Sequence, residues 1–340
     1  MNTPATADRY RMEIESELRA VLEPYQLPLY GMMRYHLGWC DEKGSPARVD
    51  SGKAIRPILC LLACRAVGGD HRDALPAAAA LELVHNYSLI HDDIQDDDEE
   101  RRHRPTVWKI WGKPQAINAG TAMRVIAGRA LFRMRGRIDD AKLLRCTALL
   151  DEATLRLIEG QYMDLSFEDR FDITVEEYLR MIGGKTGALI SCATEMGAIV
   201  GGGDEKGIAS LREFGAAVGR AFQVRDDMLG IWGEASKTGK PIGSDIRRKK
   251  KSLPVVYAFT CGDESVGKIM REIYSRQVVS EEAASEVIAV LEQAGAREAV
   301  GKIFEASCAR AEELLAAASI DGTARVELES VMRFLARRDY

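Results

Sequence analysis

Several things are scarce in this 340-residue chain, and each scarcity removes a class of explanation. No apolar run approaches the roughly 20 residues needed to cross a bilayer, so no membrane span is expected. Met1 to Arg11 lack an apolar segment behind a basic start, so no secretory leader is expected and a cytoplasmic protein is. Basic residues are outnumbered, 47 Lys and Arg against 52 Asp and Glu, and the net charge of −5 argues against a general nucleic-acid binder. Cys40, Cys60, Cys64, Cys146, Cys192, Cys261 and Cys308 are scattered, odd in number and without a CxxC pair. Reduced, mostly buried thiols fit that pattern better than a disulfide framework. His36, His71 and His103 lack metal-ligand spacing, so no zinc site is expected. Strand-like alternation is nearly absent.

What remains is helix. Ala, Leu, Glu and Arg dominate, and prolines cluster at breaks. The apolar periodicity predicts helices over 8–22, 53–68, 74–98, 115–136, 139–166, 174–183, 186–202, 206–233, 252–260, 265–276, 279–294, 297–318 and 322–337. Several are apolar on more than one side, as central helices of a large bundle are. The breaks are a polar loop at 40–52, a charged stretch at 99–114 with Pro105 and Pro114, and a Gly- and Lys-rich stretch at 234–251. No clear linker divides the chain, so one all-α domain over 1–340 is expected. A long apolar helix ending in paired aspartates occurs twice, at Asp92-Asp93 and at Asp226-Asp227.

The first pair opens a run with five aspartates in seven positions, Asp92 to Asp98. Asp92 and Asp96 are four apart and share a helix face. Negative charge at a helix C-terminus opposes the dipole, so something positive should sit there. Magnesium suits the place, because it takes oxygen ligands and bridges carboxylates to substrate phosphates. An arbitrary charge run would be a solvated loop. Growth out of an apolar helix, followed by Arg101-Arg102, points instead to a site.

The stretch LELVHNYSLIHDDIQDDDEERRHRPTVW resembles the first aspartate-rich motif of the trans-type isoprenyl diphosphate synthases, with Asp92, Asp93 and Asp96 as DDxxD and Arg101-Arg102 as the double arginine. The likeness runs from about residue 50 to residue 260, and the ordered set of motifs is far more specific than DDxxD alone. It implies a single helical bundle of the isoprenoid synthase type with a central cavity. Gly52-Lys53-Ala54-Ile55-Arg56-Pro57 is similar to the family's GGKRxRP motif, departing at Ser51 and Ala54. By resemblance Lys53, Arg56, His85 and Arg102 hold isopentenyl diphosphate. Read alone, Lys53 and Arg56 would be an exposed helix turn and His85 a satisfied core histidine.

Lys185-Thr186, in GGKTGALIS, matches the family's contact to the allylic diphosphate; read alone it is a junction where glycines break one helix and start the next. It is not a nucleotide-binding loop, because the GxxxxGK spacing is absent there, with Leu179 five residues before Gly184. Phe222 to Gly230 resembles the second aspartate-rich motif, in which Asp226 is a metal ligand and Asp227 joins it through water. Gln223 either orients Asp226 or meets substrate. Gly230 stands where many members carry a third aspartate. Lys240 and Lys250 match the late lysines, with Lys249 and Lys251 competing for the second place; five basic residues in a row would otherwise be a solvated loop.

The resemblance implies a transferase that condenses isopentenyl diphosphate with an allylic diphosphate. Three magnesium ions held by Asp92, Asp93, Asp96, Asp226 and Asp227, with Arg101, Lys185 and Lys240, would neutralise the departing diphosphate. It also implies a homodimer. In an ideal helix Ser88 and Val84 lie one and two turns beneath Asp92, and both are small. The family's length-limiting position, five before the first aspartate, is Tyr87. Geranylgeranyl diphosphate is the expected product, with farnesyl diphosphate next. A class I terpene cyclase would need an N-S-E type second motif, which is missing around 226–234, and a non-catalytic subunit would have lost first-motif aspartates, which are present.

Overall fold

The computed structural model describes residues 5–47, 49, 52–234 and 242–336. It is helical almost throughout. The helices are α1 (Ala5–Leu22), α2 (Pro28–His36), α3 (Ile55–Ala66), α4 (Leu75–Gln95), α5 (Val107–Trp111), α6 (Lys113–Leu131), α7 (Asp140–Phe167), α8 (Val175–Ile182), α9 (Ala188–Val200), α10 (Glu205–Trp232), α11 (Ser244–Arg247), α12 (Leu253–Cys261), α13 (Glu264–Tyr274), α14 (Glu281–Gln293), α15 (Ala296–Ala317) and α16 (Gly322–Ala336). The one sheet among the described residues is a hairpin of β1 (Glu100–Arg101) and β2 (Arg104–Pro105), antiparallel with Arg101 opposite Arg104.

Helices α7, α8 and α10 start where side-chain caps satisfy their first amides. Asp139 accepts from Lys142 N, Asp204 from Gly207 N, and Thr174 forms a reciprocal capping box with Glu177. Helix α9 is buried along its whole length and packs against α3, α7 and α10. Each large apolar side chain buried there contributes about 2 kcal/mol. Backbones approach closely at this centre: a Cβ on Gly197 would lie 2.1 Å from the Cys60 carbonyl oxygen, so any larger residue there must push α3 and α9 apart.

Three expectations need correction. Between α8 and α9, where GGKTG predicts a break, the chain winds through a wide π turn at Gly183–Gly187 and the helix continues. Helix α4 stops at Gln95, three residues short of the predicted end, and Asp97 turns left-handed at φ 52°. Helices α2 and α5 were not predicted. Both are short, and tertiary contacts hold them: the Tyr35 hydroxyl donates to the Pro105 carbonyl at 2.8 Å, and Trp108 Nε1 donates to the Asp98 carbonyl at 2.9 Å. All seven cysteines are free thiols, five of them buried.

Candidate active site

The last turn of α4 contains no basic residue, so its aspartates need cations from elsewhere. Arg101 grips Asp93 Oδ1 from Nε at 2.7 Å and Nη2 at 2.6 Å. Lys113 pairs with Asp97, and Arg248, from beyond α11, pairs with Asp98. Among the described residues Asp92 and Asp96 have no such ion-pair partner. Burial pushes the Asp92 carboxyl up to about 6, against the pull of Lys185. Burial raises Asp96 too, with Lys185 and Lys250 opposing. Two carboxylates on one helix face are thus short of counter-charge. Asp93 is not: its charge is spent on Arg101, and its other oxygen is buried without a donor. Asp93 thereby anchors Arg101.

The second acidic pair divides in the same way. Asp226 is exposed on α10 and lines a cavity of about 500 Å³, facing Asp96 of the first motif. Asp227 is 4% exposed. It accepts from the Tyr178 hydroxyl at 2.6 Å, from Leu253 N at 3.1 Å and from Gln223 Nε2 at 3.0 Å. Both its oxygens are therefore occupied by protein donors, and burial still pushes its carboxyl up to about 7. Through these bonds Asp227 ties α8, α10 and α12 together. Gln223 orients Asp227 rather than Asp226, and itself accepts from the Thr186 hydroxyl at 2.9 Å.

The π turn delivers Lys185 to this cavity. Gly160 on α7 lets the turn come close, since a Cβ there would lie 2.2 Å from Lys185 N. Lys185 Nζ pairs with Asp164 Oδ2 at 2.5 Å. Asp164 is the one charged residue in the stretch 160–167, a signal present in the sequence but unread. Gly230 also finds its explanation here: a Cβ on it would lie 2.1 Å from Asp245 Oδ2, so the Asp245 carboxylate fills the space a third aspartate would need. Lys250 is exposed at the cavity wall, and Lys251 is buried. Lys240 lies outside the described residues.

The other basic group gathers around the hairpin. Its two-residue turn places both Arg102 (φ 52°) and His103 (φ 60°) in the left-handed region, a strained choice for residues with side chains. The strain carries Arg102 back against Gly52, whose Cβ, if it had one, would lie 3.0 Å from Arg102 Nη2. Arg102 therefore sits beside the loop that bears Lys53, one turn from Arg56. Lys53 Nζ lies 4.9 Å from the Phe334 ring centroid. Burial, then Arg56 and Arg102, drive His85 well below the usual imidazole range, so it acts as a neutral hydrogen-bonding ring. Burial, then Arg102 and Arg101, hold His36 down to about 3. Val84, Tyr87 and Ser88 are buried, and none lines the 500 Å³ cavity. The Tyr87 hydroxyl has no hydrogen-bond partner among the described residues, and its ring stands edge-on to His91 at 5.6 Å.

Asp92, Asp96 and Asp226 are the carboxylates placed to hold a divalent cation. Among the described residues no three acidic, His or Cys side chains converge on one point. A cation between α4 and α10 would therefore be completed by phosphate oxygens and water, the coordination magnesium favours. Paired acidic turns, Lys185 and Lys250 around a cavity make a place where a diphosphate can be bound and its leaving charge neutralised.

Known proteins share this sequence and fold. Residues 44–291 match the family described as Polyprenyl synthetase. The chain is 37% identical over 320 residues, 93% of its length and 87% of the relative's, to a (2E,6E)-farnesyl diphosphate synthase of Mycobacterium tuberculosis. It is 42% identical over 265 residues, 78% of its length and 75% of the relative's, to a geranylgeranyl diphosphate synthase of the same organism. A polyprenyl synthetase structure from Streptomyces coelicolor A3(2) superposes with a TM-score of 0.91 at 39% identity, covering 97% of this chain and 98% of that one. With fold, motifs and relatives in agreement, the chain is a head-to-tail prenyltransferase and belongs to the polyprenyl synthetase family.

Proposed function

We propose that this enzyme extends an allylic diphosphate with isopentenyl diphosphate, in the presence of magnesium, to the twenty-carbon geranylgeranyl diphosphate. The observation that carries the site assignment is the meeting of Asp96 and Asp226, from two separate helices, across one cavity walled by Lys185 and Lys250. Magnesium, when bound between those turns, supplies positive charge to the diphosphate as the allylic carbon–oxygen bond breaks. Lys185 adds a positive charge at the same place, and Thr186 and Gln223 fix the floor beneath it. Lys250 approaches from the opposite wall. Lys53, Arg56, Arg102 and neutral His85 hold isopentenyl diphosphate with its double bond towards the allylic carbon, so that positioning does the remaining work. Lys240 is assigned to the departing diphosphate by resemblance alone.

The relative named farnesyl diphosphate synthase, which matches over 93% of this chain, supports a fifteen-carbon product as the second reading. The buried aromatic Tyr87 supports the same limit, whereas the small Ser88 and Val84 support the longer one. A homodimer fits the surface: Leu144 (71% exposed), Leu155, Ile158 and Tyr162 (73%) recur on α7 at helical spacing, with Ile117 and Val125 exposed on α6.

The test offers dimethylallyl, geranyl and farnesyl diphosphate separately, with magnesium and isopentenyl diphosphate, and sizes the dephosphorylated products by mass spectrometry. A twenty-carbon alcohol is expected. A fifteen-carbon alcohol would replace the product assignment, and cyclic hydrocarbons from a primer alone would overturn the condensation.

A further inference from the structure

The basic run Arg247 to Lys251 has the composition of a solvated loop, yet its members are held in different ways. Arg248 pairs with Asp98 of the first acidic turn. Lys249 Nζ donates to the Arg276 carbonyl at 2.8 Å. Lys250 is exposed at the cavity wall, where its charge acts on Asp96. Lys251 turns inward and is 8% exposed.

The Lys251 ammonium lies 3.8 Å from the ring centroid of Phe171, 4.9 Å from Tyr274 and 5.3 Å from Phe259. The rings come from three places: the turn before α8, α13 and α12. They stand edge-on to one another, Phe171 to Phe259 at 5.3 Å and Phe259 to Tyr274 at 5.9 Å. Ring faces attract a cation, most strongly when water is excluded. Burial lowers the Lys251 pKa to about 8, with Lys249 acting the same way and Asp169 opposing. The same cage touches the neighbouring peptide, because the Tyr274 hydroxyl donates to the Lys250 carbonyl at 3.5 Å. Lys250 N in turn donates to the Asp245 carbonyl at 2.9 Å.

Three consecutive lysines are chemically equivalent, and nothing in their own chemistry decides which one reaches the cavity. The rings supply that decision. We propose that Lys251 is a positioning residue: held in the cage of Phe171, Phe259 and Tyr274, it fixes the direction in which Lys250 presents its charge to the allylic diphosphate. This rests on the cavity being the allylic-diphosphate pocket.

The test measures steady-state constants for Lys250→Met, Lys251→Met and the double variant, with geranyl and isopentenyl diphosphate varied separately. The affinity of inorganic diphosphate with magnesium is measured by calorimetry as a readout independent of turnover. Lys251→Met should raise the KM for geranyl diphosphate about tenfold, the scale of a desolvated cation–ring contact, with kcat and the KM for isopentenyl diphosphate within about twofold. The double variant should match Lys250→Met alone, because Lys251 acts through Lys250. Additive losses, or an unchanged KM for geranyl diphosphate in Lys251→Met, overturn the proposal. If Lys250→Met itself leaves that KM and the diphosphate affinity unchanged, the assignment of Lys250 to the pocket falls and the positioning role falls with it. Should Lys251→Met fail to fold, Tyr274→Phe and Phe171→Leu take its place. Each should raise the same KM, and an unchanged KM in both overturns the cage.

Discussion

The two acidic turns look alike in sequence and differ in three dimensions. At the end of α4 the aspartates that lack ion-pair partners among the described residues, Asp92 and Asp96, are spaced one helical turn apart, while Asp93, Asp97 and Asp98 are neutralised by Arg101, Lys113 and Arg248. On α10 Asp226 is exposed at the cavity, while Asp227, also at its lining, is buried and held by Tyr178, Gln223 and Leu253. Adjacent residues on a helix point about 100° apart, so the two members of a doubled aspartate meet different surroundings.

The largest effect should come from removing a carboxylate of the first turn that has no ion-pair partner among the described residues. Asp92→Asn is expected to lower kcat/KM by about a thousandfold, on the scale of losing a main electrostatic contact in a transition state. Steady-state kinetics across a magnesium series checks it, and a loss of less than about tenfold would return Asp92 to a solvated acidic turn. Gly230→Asp, which places a Cβ against the Asp245 carboxylate, should cost about 1–3 kcal/mol of stability by overpacking. Thermal melts should show recovery in Gly230→Asp/Asp245→Gly, where the crowding carboxylate is gone. Asp227→Asn should cost about 1–3 kcal/mol by leaving a buried donor unpaired, and leave magnesium dependence close to wild type. A magnesium requirement shifted as far as that of Asp226→Asn would make Asp227 a ligand after all.

A pH titration separates the turns further. Burial raises Asp92 to about 6, and a cation binds the ionised form, so protons compete with metal. Rates at low magnesium should fall as pH drops through about 6, and the midpoint should move to lower pH as magnesium rises. A midpoint near 4 that ignores magnesium would contradict the burial of Asp92. The smallest effect on rate is expected from Tyr87→Ala, which should lengthen the product while leaving turnover within a few fold. Mass spectrometry of the alcohols reads it, and unchanged length removes Tyr87 as the limit.

Much of this was legible in the sequence. The apolar periodicity of α4, α7 and α10 predicted their existence and nearly their ends, and Asp92, Asp93, Asp226 and Asp227 fall on the predicted helices. What was hidden depends on long-range contact. Asp227 and Asp226 are indistinguishable until Tyr178, 49 residues away, donates to one of them. The cage around Lys251 draws on residues as far apart as Phe171 and Tyr274. Helix α2 begins on a proline and contains Gly31, so local propensity alone reads it as a break. The gap at Gly230 looked like a missing ligand, and the carboxylate filling it comes from α11, fifteen residues on.

The π turn at Gly183–Gly187 has a consequence for how this chain can change. A π turn is an α-helix carrying one surplus residue. Deleting a residue from GGKTG would let α8 and α9 close into regular helix with the buried faces of both in place. The scaffold would register that deletion as a repair. Lys185, swung by a residue's worth of rotation, would leave Asp164 and the cavity, so a lineage could lose its chemistry at this point and keep its architecture.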